Sequence, residues 1–243
     1  MQAALLAFGL VGIFWSAINL PAFWSAAQAR EAVVRLLAGD RFKPGALGDL
    51  LVSMAANPAP VVQRSQFARA KSLIRLRIAE EVIGRESPEQ SDQAAAAAND
   101  DLKFSLTLNP EDSFLWLMLY SVETTRKGFD ATTLGYLDQS YATGPLEGWV
   151  AAHRNRLSLA SLPQLSPFAN DKAVSEFAAM VDGDLLEHAA VNLMTVGWVH
   201  RERLLASLNG IDLISREIFA RRLARDGIKI SIPGVQLEER LLR

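Results

Sequence analysis

Residues 1–29 carry no ionisable side chain, and Arg30 is the first charged residue of the chain. Residues 3–20 are apolar around the whole circumference of a helix, whereas a helix on the surface of a globular domain needs a polar face. At a rise of about 1.5 Å per residue they reach roughly 27 Å, close to the hydrocarbon thickness of a bilayer. The segment therefore predicts a membrane helix, with a buried core helix as the alternative.

Two membrane forms fit this segment. Ala27, Gln28 and Ala29 have the small-x-small form of a signal-peptidase site, and Pro21 is expected to break the helix before it, which favours a cleaved export signal. The apolar stretch is long for an export signal and no Lys or Arg precedes it, which favours a retained single-span anchor. Both alternatives stay open at this point.

Two sequence signals predict opposite orientations for such a helix. Arg30, Arg35, Arg41 and Lys43 follow the apolar stretch, and the positive-inside rule then places the following domain in the cytoplasm, where a regulator would act. The small-x-small pattern favours export. We expect a single-pass protein of a bacterial inner membrane with a periplasmic domain, or a cleaved periplasmic protein.

Composition excludes several classes of function. A net charge of −2 gives no support for binding nucleic acid. The chain has no cysteine, which excludes disulfides, thiolate zinc sites and cysteine nucleophiles. An apolar fraction of 50% with 21% charged residues fits a globular domain plus a hydrophobic appendage.

Apolar periodicity, broken by glycine and proline, predicts an all-α fold after the membrane segment. A helix start is expected at Ser87–Pro88, and a helix capped by Asp112 or Ser113 is expected to end at Gly128. Residues 228–232 alternate and predict one short C-terminal strand. Because a lone strand is unstable, the segment is expected either to pair with a partner strand or to be a docked tail. The other predicted helices cover residues 31–37, 46–56, 61–83, 131–141, 146–159, 171–181, 185–194, 201–208 and 211–224.

A pattern of small, bulky and small residues precedes each of two prolines, Pro110 and Pro145, which lie 35 positions apart. The pattern consists of Ala98, Leu102 and Ser105, then Thr133, Leu137 and Ser140, with Trp116 and Leu119 between them. Residues 94–159 thus resemble tetratricopeptide-type helical repeats, in which a bulky residue fills the gap over a small residue of the neighbouring helix. An ordinary helical bundle is the alternative.

This resemblance implies a helical platform that binds partner proteins on an extended surface. The layout also resembles bacterial envelope proteins that accompany exopolysaccharide synthesis or export. We expect a membrane segment at 1–29, a tetratricopeptide-like domain at 30–162 and a C-terminal helical region at 163–243. The expected partners are envelope or inner-membrane proteins and, through residues 3–20, the membrane itself.

The sequence predicts no catalytic, cofactor-binding or metal-binding residue. His153, His188 and His200 lack the spacing of a zinc-binding helix, and no glycine-rich phosphate loop or nucleophile elbow is present. Paired carboxylates such as Glu80 and Glu81 leave one enzymatic alternative open, an envelope hydrolase or lytic factor.

Four residues are candidates for partner binding. Tyr120 and Tyr136 are aromatic residues of the repeat-like region that could line a groove. His153 and Arg154 lie in a basic stretch that could contact an anionic partner. The sequence therefore predicts a membrane-attached or exported helical scaffold.

Overall fold

The computed structural model describes residues 2–57, 64–83, 85–145 and 147–236, without the side chains of residues 2–8, 18, 19, 22 and 25. These residues form α-helices joined by turns, short 3-10 helices and loops, with no strand among them, which confirms the all-α prediction. The chain divides into two compact units, Met1–Glu111 and Asp112–Arg243, called unit 1 and unit 2 below. Residues 163–243, predicted as a separate region, fall within unit 2.

Unit 1 contains four helices in the part of the chain that the structure describes. They are α1 (Gln2–Leu37), α2 (Ala46–Ala56), α3 (Arg64–Val82) and α4 (Pro88–Leu108). The last three match the predicted helices closely, because glycine, proline and a Ser87 capping box mark their ends.

Helix α3 is the centre of unit 1, since α1, α2 and α4 all pack against it. Leu73 and Ile74 of α3 are buried, as are Ala95 and Ala98 of α4. The two alanines allow α4 to approach α3 closely, because their side chains fill little space. Across this contact, Asp101 of α4 accepts hydrogen bonds from Lys71 and Arg75 of α3, at 2.9 and 2.5 Å.

Helix α1 has two parts with opposite environments. From Ala26 onward it packs on α2 and α3, and Ala29 is fully buried. Before that point its large apolar side chains are exposed: Leu10, Val11, Ile13, Phe14, Trp15, Leu20, Phe23 and Trp24. Among the described residues, no helix combines the length and the apolar character that crossing a bilayer requires.

The expectation that Pro21 breaks this helix is wrong, because α1 continues through it to Leu37. Proline removes one backbone hydrogen bond and strains the preceding turn. The residues on both sides of Pro21 include several alanines and leucines, which favour helix, and their helix propensity is sufficient to continue the helix.

Unit 2 contains seven α-helices in its described part. They are α5 (Ser113–Lys127), α6 (Ala131–Thr143), α7 (Gly148–Ala160), α8 (Pro167–Asp182), α9 (Leu186–Met194), α10 (Arg201–Ser207) and α11 (Leu213–Arg225). Asp112 caps α5 and Gly128 ends it, as predicted. Helix α8 is central and packs against α6, α7, α9, α10 and α11.

The strand predicted at residues 228–232 is wrong, because these residues form a loop. No neighbouring strand is present among the described residues to pair with it, so the alternating pattern has no ladder to join. Instead the segment docks on unit 2: Ile232 is buried, and the guanidinium of Arg216 donates a 2.7 Å hydrogen bond to the carbonyl of Pro233.

Candidate functional site

The four candidate partner-binding residues all lie in unit 2, in different environments. Tyr120 and Arg154 are buried, Tyr136 is half-buried and His153 is exposed. Only the last two present a side chain to a partner in this structure. The expectation for Tyr120 and Arg154 is therefore corrected, and their contacts explain why.

Arg154 is fully buried and joins α6, α7 and α8. Its guanidinium donates to Glu176 Oε1 from Nε at 3.0 Å and from Nη2 at 2.6 Å. It also donates to the carbonyls of Ser140 and Gly144, at 2.6 and 3.0 Å, and lies over the ring of Tyr141. A buried cation needs such pairing, because desolvation of an unpaired charge is very costly. We call Arg154, Glu176 and Tyr141 the buried ion-pair cluster.

Tyr141 completes this cluster from α6. Its hydroxyl lies 2.9 Å from Glu176 Oε2 and 3.0 Å from Ser158 Oγ. Burial raises the pKa of Tyr141 well above its usual value, and the negative charge of Glu176 raises it further. The hydroxyl therefore stays protonated at neutral pH and can donate to the carboxylate.

A second polar contact set lies beside this cluster and joins α7, α8 and α9. The amide of Asn155 donates to the carbonyl of Ala173 at 2.9 Å, and the amide of Asn192 donates to Asn155 Oδ1 at 3.1 Å. Both asparagines are buried. These contacts hold α9 at a fixed position beside α7, which sets the width of the surface between them.

Tyr120 also has a structural role. Its ring is buried and its hydroxyl donates to Ser161 Oγ at 3.1 Å, so it links α5 to the end of α7. Desolvation raises the pKa of Tyr120. Tyr136 instead lies half-buried on α6, with its ring stacked on Trp116 of α5 at a centroid distance of 5.9 Å.

Ser140 of α6 and Gly144, which follows this helix, lie where α6 meets α5. Ser140 donates to the carbonyl of Ser113 at 2.8 Å, and a side chain at Gly144 would come within 2.5 Å of Ser113. Small residues at these positions let the two helices approach closely. The tetratricopeptide-type repeat itself stays a prediction.

His153 lines a groove of about 770 Å³ formed by α5, α7, α9 and the turn after α9. We call it the α7–α9 groove. Its apolar lining includes Met118, Leu157 and Val196, which are half-buried, and Val191, which is 44% exposed. Its exposed polar lining consists of His153, Arg156, Glu187 and His188.

The two charged residues that line this groove, Glu187 and Arg156, differ in their pairing. Glu187 is bound by Arg222 of α11, whose Nε lies 2.5 Å from the carboxylate. Hydrogen bonds to Glu187 and then Asp226 raise the pKa of Arg222, whose guanidinium is shared between these two carboxylates. Arg156, by contrast, forms no hydrogen bond or ion pair within the described part of the chain. Its charge is available to a partner.

Sequence reasoning selected His153 and included Arg156 only as part of the same basic stretch, and it gave no partner-binding role to His188 or Val191. Arg156 lies three residues after His153, so both fall on one face of α7. That spacing was visible in the sequence. The contribution of α9 was not, because it depends on how α7 and α9 pack.

The groove does not have the composition of a metal centre. Within the described residues, no group of three or more histidine, aspartate or glutamate side chains lies close enough together to hold a metal ion.

No protein-family model matches the chain, and neither a curated protein nor a solved structure is significantly similar to it.

Proposed function

We propose that this protein is a membrane-attached helical adaptor of the cell envelope that binds a segment of a partner protein in the α7–α9 groove. The observation that carries the proposal is the composition of that groove. It combines an apolar lining with Arg156, which has no ion-pair or hydrogen-bond partner among the described residues, and its volume suits several side chains.

The partner segment that fits best is an amphipathic helix with at least one carboxylate. Its apolar side chains would cover Leu157 and Val191, whose exposed surface is unfavourable in water. Its carboxylate would pair with Arg156, and the guanidinium geometry suits a bidentate contact. A helix laid in a groove between helices is a common mode of peptide recognition.

Membrane attachment is supported by the first part of α1. The large apolar residues from Leu10 to Trp24 are exposed on every side of the helix, and several are about two-thirds exposed, including Leu10 and Phe14. Such a surface is stable in a lipid environment and unfavourable in water. The predicted single span across an inner membrane, with the domain outside the cytoplasm, is part of this proposal.

We propose further that the segment is a retained anchor. The small-x-small sequence at residues 27–29 lies within α1, and Ala29 is fully buried against the rest of unit 1. Cleavage after Ala29 would remove Ala26 and Ala29 from the fold, and both are buried in unit 1. N-terminal sequencing of the product from cells tests this, and a chain beginning at Arg30 would overturn it.

Partner binding is tested by comparing two valine substitutions in the full chain. Val191→Glu places a carboxylate in the groove, and Val199→Glu makes the same change at a valine outside the groove that is 77% exposed. Tagged proteins are recovered from membrane extracts in mild detergent, and the captured proteins are identified by mass spectrometry. We expect Val191→Glu to lose captured partners that Val199→Glu keeps.

Arg156→Glu provides the electrostatic arm of the same experiment. It should lose the same partners as Val191→Glu, because it replaces the unpaired cation with a repelling anion. Identical capture by all four proteins, or no specific capture by the wild type, contradicts the adaptor function.

A further inference from the structure

Unit 1 contains a pocket of about 330 Å³ between α1 and α3. This pocket shares no lining residue with the α7–α9 groove. Its polar lining comes from Arg30 of α1 and from Gln66 and Arg69 of α3. Its apolar lining includes Val33 and Phe67. Among the described residues that line it, none is acidic, so the pocket has the charge that an anion requires.

Arg30 is the part of this pocket with unused charge. It is exposed and forms no ion pair or hydrogen bond with the residues that the structure describes. It contrasts with Arg35, one and a half turns further along α1, which pairs with Asp40 at 3.2 Å. A guanidinium without a partner beside an amide and a second guanidinium is a suitable site for a phosphate group.

The position of the pocket along α1 indicates where that phosphate comes from. The exposed apolar part of the helix ends at Trp24, and the pocket begins two residues later at Ala26. Arg30 lies roughly 9 Å along the helix axis from Trp24. If the apolar part lies in hydrocarbon, Trp24 is at the interface, where tryptophan is favoured, and Arg30 is at the depth of the headgroups.

We propose that the pocket between α1 and α3 binds the phosphate of an anionic phospholipid headgroup. The inference rests on the proposed attachment of α1 to the membrane. The guanidiniums of Arg30 and Arg69 and the amide of Gln66 contact the phosphate and glycerol oxygens. Val33 and Phe67 form the apolar wall of the pocket beside these polar groups.

The test uses two matched variants of the full chain, Arg30→Gln and Arg35→Gln. Both remove one positive charge from α1, but only Arg30 lines the pocket. Each protein is purified in neutral detergent and titrated with phosphatidylglycerol or phosphatidylcholine in mixed micelles, and phosphorus NMR follows the headgroup. We expect Arg30→Gln to weaken phosphatidylglycerol binding about fivefold, and Arg35→Gln to change it much less.

Three results would overturn the site. Equal weakening by both variants indicates attraction to surface charge alone. Binding of phosphatidylcholine as tightly as phosphatidylglycerol shows that anionic headgroups are not selected. Saturable binding of soluble glycerol phosphate that matches the lipid indicates that a free phosphate ester is the ligand.

Flotation of the wild type with vesicles separates this proposal from the attachment on which it rests. Vesicle binding without a difference between the two variants defeats the headgroup site and leaves attachment intact. Failure to float with any vesicle defeats attachment and the lipid site together.

Discussion

The two units depart from the usual distribution of polar and apolar residues in opposite ways. Unit 2 buries the ion pair of Arg154 and Glu176, whereas the first part of α1 in unit 1 exposes large apolar side chains such as Leu10 and Phe14. The buried ions are compensated inside the protein, because both Arg154 and Glu176 have several hydrogen-bond partners. The exposed apolar side chains have no such cover among the described residues.

An unusual environment therefore has a different role in unit 2 and in the first part of α1. In unit 2 it marks a structural joint between three helices. In α1 it is the observation behind the proposed membrane surface. Four predictions test this contrast.

The largest effect is expected at the buried ion pair. Arg154→Met leaves the Glu176 carboxylate buried without its cation, and we expect the free energy of unfolding to fall by about 3–5 kcal/mol. Arg156→Met, an exposed position two residues later on α7, should change it by less than about 0.5 kcal/mol. Urea denaturation followed by circular dichroism measures both. Equal effects would show that the cluster is not a structural joint.

The next effect concerns α1 and leaves folding unchanged. Val11→Asp places a charge among exposed apolar residues, and we expect it to disfavour membrane insertion by about 2.5–3.5 kcal/mol. The protein should then shift from the membrane fraction to the supernatant after cell lysis. Val52→Asp makes the same change at an exposed valine of α2 and should leave the distribution as in the wild type. A shift in both variants would argue against a dedicated membrane surface.

A smaller effect is expected from Tyr141→Phe. Loss of the hydroxyl removes a hydrogen bond to the Glu176 carboxylate, and we expect a loss of about 1–3 kcal/mol at neutral pH. The pH dependence identifies the cause. Because the pKa of Tyr141 is raised in the folded protein, its contribution to stability is present below about pH 10 and is lost as the pH rises further.

Stability measured from neutral to strongly alkaline pH checks this assignment. The wild type should lose stability above about pH 10, and Tyr141→Phe should lose less over the same interval. Tyr136→Phe, at the half-buried tyrosine stacked on Trp116, removes a tyrosine hydroxyl outside the cluster and is the matched control. An unchanged profile for Tyr141→Phe contradicts the buried contact.

The smallest effect is expected at an ordinary surface feature of unit 1. Ser87 caps α4, and its hydroxyl accepts a hydrogen bond from the backbone amide of Gln90. Ser87→Ala should lower the free energy of unfolding by about 1 kcal/mol. Ser91→Ala, one turn further on, should be neutral or slightly stabilising, because alanine favours helix. The difference between these two variants gives the stability effect of an ordinary surface contact. The effects at the buried ion-pair cluster and in the first part of α1 can then be compared with it.

The helix boundaries could be predicted because local residues determine them. Residues 46–56 form α2 as expected, Asp112 caps α5, and Gly128 ends it. Each of these signals acts within one helical turn, so it is present in the sequence without knowledge of tertiary packing. The prediction at Pro21 is wrong for the opposite reason. Whether a helix continues through proline depends on the stability of the whole helix and not on the local residues alone.

The role of Arg154 could not be predicted, because α7 buries polar residues together with apolar ones. Arg154, Asn155 and Ser158 all lie inside, while Trp149 is 45% exposed. Apolar periodicity therefore indicates no single buried face. The α7–α9 groove was hidden for a related reason: its lining comes from helices far apart in the sequence, and only their packing brings Met118, Arg156 and His188 together.

The continuity of α1 has a mechanical consequence. One unbroken helix of 36 residues carries both the exposed apolar part and the part packed on α3, with no linker between them. In the membrane-attached state, unit 1 cannot extend away from the lipid surface as a tethered domain would, and its height and tilt follow those of the helix. Its encounters would then be confined to molecules that diffuse in the same plane, and tilting of the helix by a change in bilayer thickness would tilt unit 1 with it.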